Sequence, residues 1–492
     1  MKVPVSRLPD IRKFVPGSVM PAVPARDPGH DVDWTARALR SLAGIFVLTW
    51  SFRLSGYLTF TPWLAIPVVL LGLTGLLVIV AAWLPSSVLD NRRQHQIGWV
   101  TLVAVLVALA LWSYFQVFIA PDYPTDEIAF DQYAAQLALH GINPYLHSMA
   151  PAFPLFHVSP NGYTFQLNGQ PVTSLSYPAL SFEAYLPLLE LAVTTQAAVW
   201  TNVAAWALGA AILYAVLPRN LAPLAVVVAS ADIYIGYAVG GVTDALFVPL
   251  LIGAAVSWDR FASARGPAAW RGPICMGLAM AVKQTPWFVV PFVVAGIVLE
   301  TRRSSGAGQA LRAGLRYAGI AAASFLLPNL PYLVSSPVAW LRGILAPLTD
   351  HAVPAGPGLV SLSLSLMVGG GSLRAYNVAA AVIFGALIAC YVVTYPALKP
   401  GAFLLPSVAL FFAARSFGSY LVMLIPATLA AAATTRHPQH GAPWRRWKWV
   451  AACSAVASGR GDLRDPLGGR RQQPGLLRGR FGRITVHSCC GR

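Results

Sequence analysis

The sequence predicts an all-α protein, a polytopic bundle of transmembrane helices with about 11–13 membrane segments. Its 492 residues are 56% hydrophobic and only 11% charged, whereas about a quarter of the residues in a soluble protein are charged. The apolar residues occur in runs, and those at 63–84, 97–120 and 196–218 are long enough for a spanning helix, which needs roughly 20 residues.

The positive net charge is typical of a membrane protein when its distribution is considered. The chain carries a formal charge of +17, but its basic residues flank the apolar runs, as at Arg92-Arg93 and Arg302-Arg303. Basic residues collect in cytoplasmic loops and are attracted to anionic lipids. We therefore expect membrane lipids, and no nucleic acid, among the partners. The five cysteines have neither metal-ligand nor disulfide spacing.

The N-terminal part of the chain predicts an orientation in the membrane. Residues 1–37 are polar and rich in proline, and they are expected to form a flexible cytoplasmic tail. A weaker apolar stretch at 39–60, interrupted by Arg53, precedes the runs at 63–84 and 97–120. Three crossings from a cytoplasmic N-terminus bring the chain to the outer face. The transmembrane domain is expected to extend over residues 38–450.

The segment 121–176 is expected to be the large external loop and to contain the functional site. No Lys or Arg occurs between Arg93 and Arg219, and acidic residues lie in the middle of that stretch. A long loop without basic residues is typical of the outer side of a membrane. Localisation in a bacterial plasma membrane, with this loop outside, follows as an expectation.

Two structural elements are predicted within this loop. An amphipathic helix at the membrane surface is expected to begin after Thr125, its N-cap, and to end at Gly141. Residues 163–173, with Asn168-Gly169 at the centre, have the pattern of a β-hairpin.

The second half of the chain has shorter apolar segments interrupted by Gly and Pro. The loops at 259–271 and 301–316 are both basic, so they are expected on the same side of the membrane with an even number of crossings between them. Residues 274–299 should therefore divide into two short helices around 283–286, which is tolerated where broken helices line a cavity. The composition of residues 451–492, with Arg scattered among Gly and Pro, predicts a disordered basic tail. An out-of-frame translation of the end of the gene is one explanation for it.

Asp126, Glu127 and Asp131 are the candidate catalytic residues. Asp126 and Glu127 lie in the predicted first turn of the external helix, and Asp131 is one turn beyond Glu127 on the same face. A carboxylate at the membrane boundary can act as general base for an attacking hydroxyl, or two can share a divalent cation with a substrate phosphate. The helix macrodipole alone also favours acids in a first turn, so these residues by themselves leave a structural role open.

Several short motifs resemble the GT-C superfamily of membrane glycosyltransferases, in its bacterial mannosyltransferase-like branch. The arrangement of predicted helices and loops resembles that superfamily over roughly residues 40–435. The residues that carry the resemblance occur in four short motifs. They are Asp126-Glu127 through Gly141-Ile142-Asn143-Pro144-Tyr145, Tyr177-Pro178, Lys283-Gln284-Thr285-Pro286, and Arg415-Ser416-Phe417-Gly418-Ser419-Tyr420 before Pro426. The resemblance implies a polyprenyl-phosphate sugar donor and Asp126 as the catalytic base, with Glu127 and Asp131 as possible substitutes.

Further residues are predicted to bind substrate. Lys283 lies within an apolar run, where a charge is costly without a partner, so it is expected to bind the donor phosphate, helped by Arg415. The alternatives for Lys283 are a salt bridge to Asp244 or Glu183, or snorkelling at a short helix end. Gln284 follows Lys283 in the same motif. The remaining candidates are Asp350 and His351, which are expected in an external loop, and the aromatic residues Tyr145, Tyr177 and Tyr420, which are expected to line a sugar site.

Together these observations predict an inverting membrane glycosyltransferase. It would move a sugar of the mannose or arabinose class from a polyprenyl-phosphate donor to a cell-envelope glycan or glycolipid. No cofactor is expected, and dependence on a divalent metal is left open. A membrane transporter or lipid flippase is the alternative, because broken helices and buried charges also suit that class. A non-catalytic assembly protein is the third possibility.

Overall fold

The structure is a computed structural model that describes residues 34–85, 87–194, 196–349, 351–366 and 372–435. Within these residues all regular secondary structure is helical, and β-structure is limited to isolated bridges. The predicted all-α class is confirmed. The predicted C-terminal tail, 451–492, lies outside the described residues, as does the N-terminal tail except for its last residues, which open the first helix.

The described chain forms 21 α-helices joined by loops and short 3₁₀ turns. In order, α1 to α7 are Trp34–Ser55, Ala65–Trp83, Asn91–Ile119, Asp126–Leu139, Ala152–Leu155, Leu180–Glu183 and Leu186–Glu190. Helices α8 to α14 are Ala197–Val216, Pro223–Ser230, Asp232–Gly240, Asp244–Ala255, Ala268–Val282, Val290–Ser305 and Ala307–Ser335. Helices α15 to α21 are Pro337–Thr349, Leu359–Ser365, Leu373–Val393, Tyr395–Leu398, Leu405–Leu410, Gly418–Val422 and Ile425–Thr434. The 3₁₀ turns are Pro62–Leu64, Pro144–Leu146, Pro160–Gly162, Trp258–Ser263, Thr285–Phe288 and Lys399–Phe403.

Six helical segments of the described chain are long and apolar enough to cross a membrane, as expected of a multi-pass membrane protein. They are Pro62–Trp83, Arg92–Ile119, Ala197–Val216, Thr285–Ser305, Ala307–Ser335 and Leu373–Val393. Helices α9 and α10 meet at a bend of 56° and make a seventh if they count as one span. Three more apolar helical segments, among them α11 and α12, have only 10–17 residues. The predicted number of about 11–13 segments therefore exceeds the number of full-length spans described.

The apolar run at 274–299 is divided, as predicted. Helix α12 ends at Val282, Lys283 adopts an extended conformation, and a 3₁₀ turn precedes α13. Pro286 and Pro291 lie at the starts of the turn and of α13, where proline is compatible with a helical first turn but lacks an N–H to continue the preceding one. The break places Lys283 and Gln284 in the interior of the bundle, where both are buried.

Helix α4 begins at Asp126 as predicted, but it is not a surface helix. Most of its length is buried, including the apolar side chains Ile128, Phe130 and Ala134, and it packs against α5, α6, α7 and α8. Its buried residues occupy more than one face, which is the pattern of a core helix rather than an amphipathic one. The hydroxyl of Thr125 makes no cap within α4 and instead donates to the carbonyl of Gly241 at 2.5 Å.

The predicted β-hairpin at 163–173 is not confirmed as a pair of strands. The chain reverses at Asn168-Gly169, and two backbone hydrogen bonds join its arms, from Gln166 to Gln170 and from Val172 to Thr164, both 2.8 Å. One arm also pairs with 351–353, where the Leu167 N–H donates to the His351 carbonyl at 2.8 Å. The reversal therefore lies against a distant loop rather than standing alone.

Candidate functional site

A cavity of about 420 Å³ lies between segment 121–176, the break after α12, α15, α17 and residues 409–420. Its polar lining is Asp126, Glu127, Thr164, Ser174, Ser176, Tyr177, Lys283, Gln284, Thr285, Asn377, Arg415 and Tyr420. Its apolar lining includes Phe130, Phe288, Leu348, Leu373, Ala380, Ala381, Phe384, Leu410 and Ala413. The cavity thus brings together seven of the eleven residues that the sequence predicted for the site.

One wall of the cavity is a single face of α17. Leu373, Asn377, Ala380, Ala381 and Phe384 line it, at the spacing of one helical face. The opposite face of α17 is exposed, with Val382 63% exposed. Because α17 is also long and apolar enough to span a membrane, lipid would contact its exposed face, while its other face lines the cavity.

Asp126 is buried at the edge of the cavity without a cationic partner. It is 8% exposed, and its Oδ2 accepts the backbone N–H of Thr164 at 2.6 Å. It forms no ion pair with a described Lys, Arg or His. Burial raises the pKa of the Asp126 carboxyl above its ordinary value of 3.8, and the Thr164 hydrogen bonds oppose this. The neighbouring Glu127 charge raises the pKa further, and the Arg415 charge lowers it. A carboxylate with an elevated pKa and room beside it is suited to accept a proton.

Glu127 is held by contacts to both of its carboxylate oxygens. Oε1 accepts from Lys283 Nζ at 2.6 Å and from the N–H and hydroxyl of Thr243 at 2.8 and 2.9 Å. Oε2 accepts from the hydroxyl of Tyr177 at 3.0 Å. Burial would raise the pKa of Glu127, but the charge and hydrogen bond of Lys283 outweigh it, so the pKa lies below its ordinary value. These contacts fix Glu127 as an ionised partner rather than a free base.

Lys283 lies between two carboxylates. It is 1% exposed, and its ammonium is ion-paired with both Glu127 and Asp244, the latter at the start of α11. The salt bridge to Asp244, which was one of the alternatives for Lys283, is therefore present. The three charges sum to minus one, so a phosphate at Lys283 would face net negative charge at close range. This geometry argues against the phosphate contact that the sequence predicted for Lys283.

Asp131 lies behind the cavity rather than in it. It is fully buried, its Oδ1 accepts from the Ser181 hydroxyl at 3.0 Å, and its Oδ2 has no hydrogen-bond partner among the described residues. Burial, and then the charge of Glu127, raise the pKa of Asp131 well above its ordinary value. Asp131 does not line the cavity, which favours Asp126 over Asp131 as the base.

Arg415 is a second cation in the cavity wall, and it has a different environment. Its guanidinium donates to the hydroxyl of Thr164 at 3.2 Å and lies 4.7 Å from the ring centroid of Phe417. Among the described residues it forms no ion pair. Arginine binds phosphate through planar, bidentate hydrogen bonds. Arg415 is therefore the described cation of this cavity that is suited to hold an anionic group.

Gln284, Tyr177 and Tyr420 line the cavity and make contacts within its walls. The side-chain amide of Gln284 donates to the carbonyls of Ser176 and Ile344 at 2.8 and 2.9 Å, so it joins two walls of the cavity. The rings of Tyr177 and Tyr420 lie 5.1 and 5.4 Å from Lys283 Nζ. These distances are within the range of cation–π interactions, so both rings also stabilise the ammonium of Lys283.

Tyr145 and His351 are outside the cavity. The Tyr145 hydroxyl donates to the carbonyl of Tyr177 at 2.7 Å, and its ring packs against Tyr332, so it supports the wall from behind. His351 lines an adjoining, more open cavity together with Arg374. Asp350, which was paired with His351 in the sequence analysis, lies outside the described residues.

Two residues of the site had no predicted role. Thr164 contacts both Asp126 and Arg415, and Thr243 makes two hydrogen bonds to Glu127. Neither lies in a motif with characteristic spacing. In the sequence, only the position of Thr243 between Gly241 and Asp244 could have pointed to a role for it. Only the position of Thr164 in the predicted hairpin could have pointed to a role for Thr164.

The three candidate acids do not converge on one point that would suit a shared divalent cation. Asp126 faces Thr164, Glu127 faces Lys283 and Thr243, and Asp131 faces Ser181. Among the described residues no group of three or more His, Cys, Asp or Glu is arranged to hold a metal ion.

Comparisons of the chain with protein-family models, with curated proteins and with solved structures found no match. The function therefore has to be inferred from the residues that line the cavity and from their contacts.

Proposed function

We propose that the chain is an integral membrane glycosyltransferase that moves a sugar from a polyprenyl-phosphate donor to a hydroxyl group of a cell-envelope glycan or glycolipid. The observation that carries the proposal is Asp126, a buried carboxylate without a cationic partner, on the same cavity as Arg415 and the apolar face of α17. A base, an anion-binding group and a wall suited to a lipid chain are what this reaction requires.

In the proposed reaction Asp126 accepts the proton of the acceptor hydroxyl as its oxygen attacks the anomeric carbon of the donor sugar. The bond from that carbon to the phosphate oxygen breaks, and polyprenyl phosphate leaves with the bonding electrons. A single displacement inverts the anomeric configuration. Arg415 holds the phosphate and stabilises the charge that develops on it. A phosphate leaves as a stable anion, so no general acid is required.

The proposal places segment 121–176 on the outer side of a bacterial plasma membrane, with the N-terminus in the cytoplasm. The lack of basic residues between Arg93 and Arg219 supports this orientation. The donor would reach the cavity from the bilayer along α17. The donor sugar is proposed to be mannose or arabinose, on the resemblance in motifs.

Reconstitution in proteoliposomes tests the function directly. Vesicles containing the protein receive radiolabelled polyprenyl-phosphate mannose or arabinose together with a lipid extract of a bacterial envelope as acceptor. Label in a new glycolipid, with release of polyprenyl phosphate, is the expected result. Movement of labelled donor across the bilayer without a new product would support a flippase, and neither outcome with either sugar would contradict the proposal.

Substitution of Arg415 tests its role in binding the phosphate. Arg415→Ala is expected to raise KM for the donor about 10- to 100-fold, the equivalent of one or two charge-assisted hydrogen bonds, and Arg415→Lys less. Arg312→Ala is the control, because Arg312 is exposed at the start of α14. Donor KM is measured in the reconstituted assay, and an unchanged value in Arg415→Ala would exclude this contact.

The pH profile of transfer should report the ionisation of Asp126. A general base acts only when deprotonated, so kcat/KM is expected to fall as the pH decreases through the pKa of Asp126. Burial raises that pKa, so the fall should be centred above 3.8, the ordinary value for aspartate. Initial rates in a series of buffers at constant ionic strength give the profile. A fall centred at or below the ordinary value would contradict Asp126 as the base.

A transporter is the second candidate, and one observation favours it. Lys283, Glu127 and Asp244 form a buried ion network at a break between two helices, an arrangement that also occurs where transporters bind ions or substrates. This candidate offers no role for an unpaired Asp126 beside Arg415. It predicts movement of a solute or lipid without chemical change.

A further inference from the structure

Both sequence neighbours of Asp126 are held by one short segment, 241–244. The Thr125 hydroxyl donates to the Gly241 carbonyl at 2.5 Å, and Glu127 accepts from the N–H and hydroxyl of Thr243. The approach is close, because a Cβ atom on Gly241 would lie 2.9 Å from Cγ2 of Thr125. The first turn of α4 is therefore fixed on both sides of Asp126.

Lys283 joins this contact to the helix break. Its ammonium contacts Glu127 at the start of α4 and Asp244 at the start of α11, while its backbone lies at the end of α12. Three separate parts of the chain thus meet at one buried ammonium. Such a contact constrains their relative positions more than any single hydrogen bond, because a displaced carboxylate would remain buried without its counterion.

We propose that Glu127, Lys283 and Asp244 act together as positioning residues, the Glu127 clamp, which holds Asp126 toward the cavity, and that the donor phosphate does not bind Lys283. This inference rests on the proposed function and deepens it. In this proposal the clamp does not act by contact with the reacting atoms, although Glu127 and Lys283 line the cavity. It acts through the backbone of α4, where Glu127 directly follows Asp126.

The clamp predicts a specific kinetic effect. A displacement of about 1 Å of a catalytic group can reduce the rate about 100-fold, so Lys283→Met should reduce kcat by about this factor. Binding of the donor should be retained, since Arg415 and the α17 wall do not contact Lys283 through any described hydrogen bond. If Lys283 instead held the phosphate, donor binding would weaken in every variant that lacks its charge.

A double variant separates the two roles without changing the net buried charge. Lys283→Met/Asp244→Asn removes one positive and one negative charge, so the buried sum stays at minus one, and Glu127 keeps its contacts to Thr243 and Tyr177. We expect it to fold and to recover about tenfold in kcat over Lys283→Met, with the donor dissociation constant within about twofold of wild type. Weakened donor binding in the double variant would overturn the proposal.

Lys399 provides a matched control for general destabilisation. It is also buried and ion-paired with two acids, Asp259 and Glu300. Lys399→Met should lower thermal stability and yet retain the wild-type kcat per folded molecule. An equal loss of kcat in Lys399→Met and Lys283→Met would show that the effect of Lys283 is only structural.

A readout without turnover distinguishes failure of the clamp from failure of the proposed function. Labelling of Asp126 by a water-soluble carbodiimide, followed by mass spectrometry, should increase several-fold in Lys283→Met and remain at the wild-type rate in Lys399→Met. This holds whether or not sugar transfer is found. Unchanged labelling in Lys283→Met would overturn the clamp, whereas increased labelling without any transfer by the wild-type protein would contradict only the glycosyltransferase.

Discussion

Replacement of Asp126 by Asn should reduce the rate of sugar transfer by about 10²- to 10⁴-fold, the usual contribution of a general base. The substitution is isosteric, and the amide oxygen of Asn can still accept the Thr164 N–H that now lies 2.6 Å from Oδ2. What is lost is the ability to accept a proton. The fold and donor binding should therefore be retained, and kcat should carry the effect.

Asp131→Asn is the matched control for this prediction. The residue lies on the same helix and the chemical change is identical, but Asp131 is fully buried behind the cavity and contacts Ser181. The amide of Asn has nearly the same shape, and its oxygen can still accept the hydrogen bond from the Ser181 hydroxyl. Transfer should stay near the wild-type rate. Undiminished transfer by Asp126→Asn, or an equal loss in both variants, would contradict Asp126 as the base.

The sequence predicted those features of the fold that depend on local pattern. The apolar runs gave the all-helical class, the start of α4 followed from Thr125 and the acids after it, and the division after Val282 followed from the positions of the basic loops. Each of these depends on residues within one or two helical lengths. Hydrophobicity, proline and charge act at that range.

The sequence offered the Lys283–Asp244 salt bridge only as one of several alternatives and did not predict the contacts of Lys283 with Glu127 or of Arg415 with Thr164. Lys283 lies 156 residues from Glu127 and 39 from Asp244, and Arg415 lies 251 residues from Thr164. A single sequence contains no signal for such contacts, because many pairings satisfy the same requirement for a buried counterion. The spacing in the sequence likewise did not choose between Asp126 and Asp131. Only the packing of α4 separates a carboxylate at the cavity from one behind it.

The burial of α4 shows why hydrophobic periodicity alone was insufficient. Ile128, Phe130 and Ala134 suggested one apolar face toward the membrane, but Asp131 and Gln132 are also buried. Gln132 accepts from the Ala198 N–H at 2.9 Å and donates to the Thr194 carbonyl at 2.8 Å. A buried polar residue whose hydrogen-bond partners lie far away in the chain cannot be distinguished from an exposed polar residue in the sequence.

Narrowing the cavity at its α17 wall should hinder binding of the lipid chain of the donor. Ala380→Trp places a large ring in the cavity, and we expect the loss of kcat/KM for a long-chain polyprenyl donor to be about tenfold or more, since single steric changes in apolar pockets have effects of this size. A donor analogue with a short, water-soluble chain should be affected less, because in the proposed reaction its phosphate and sugar contact Arg415 and Asp126 rather than α17. Val382→Trp is the control, because Val382 lies on the same helix, is exposed and does not line the cavity. Equal effects of the two tryptophans, or of Ala380→Trp on both donors, would mean that the lipid chain does not lie along α17.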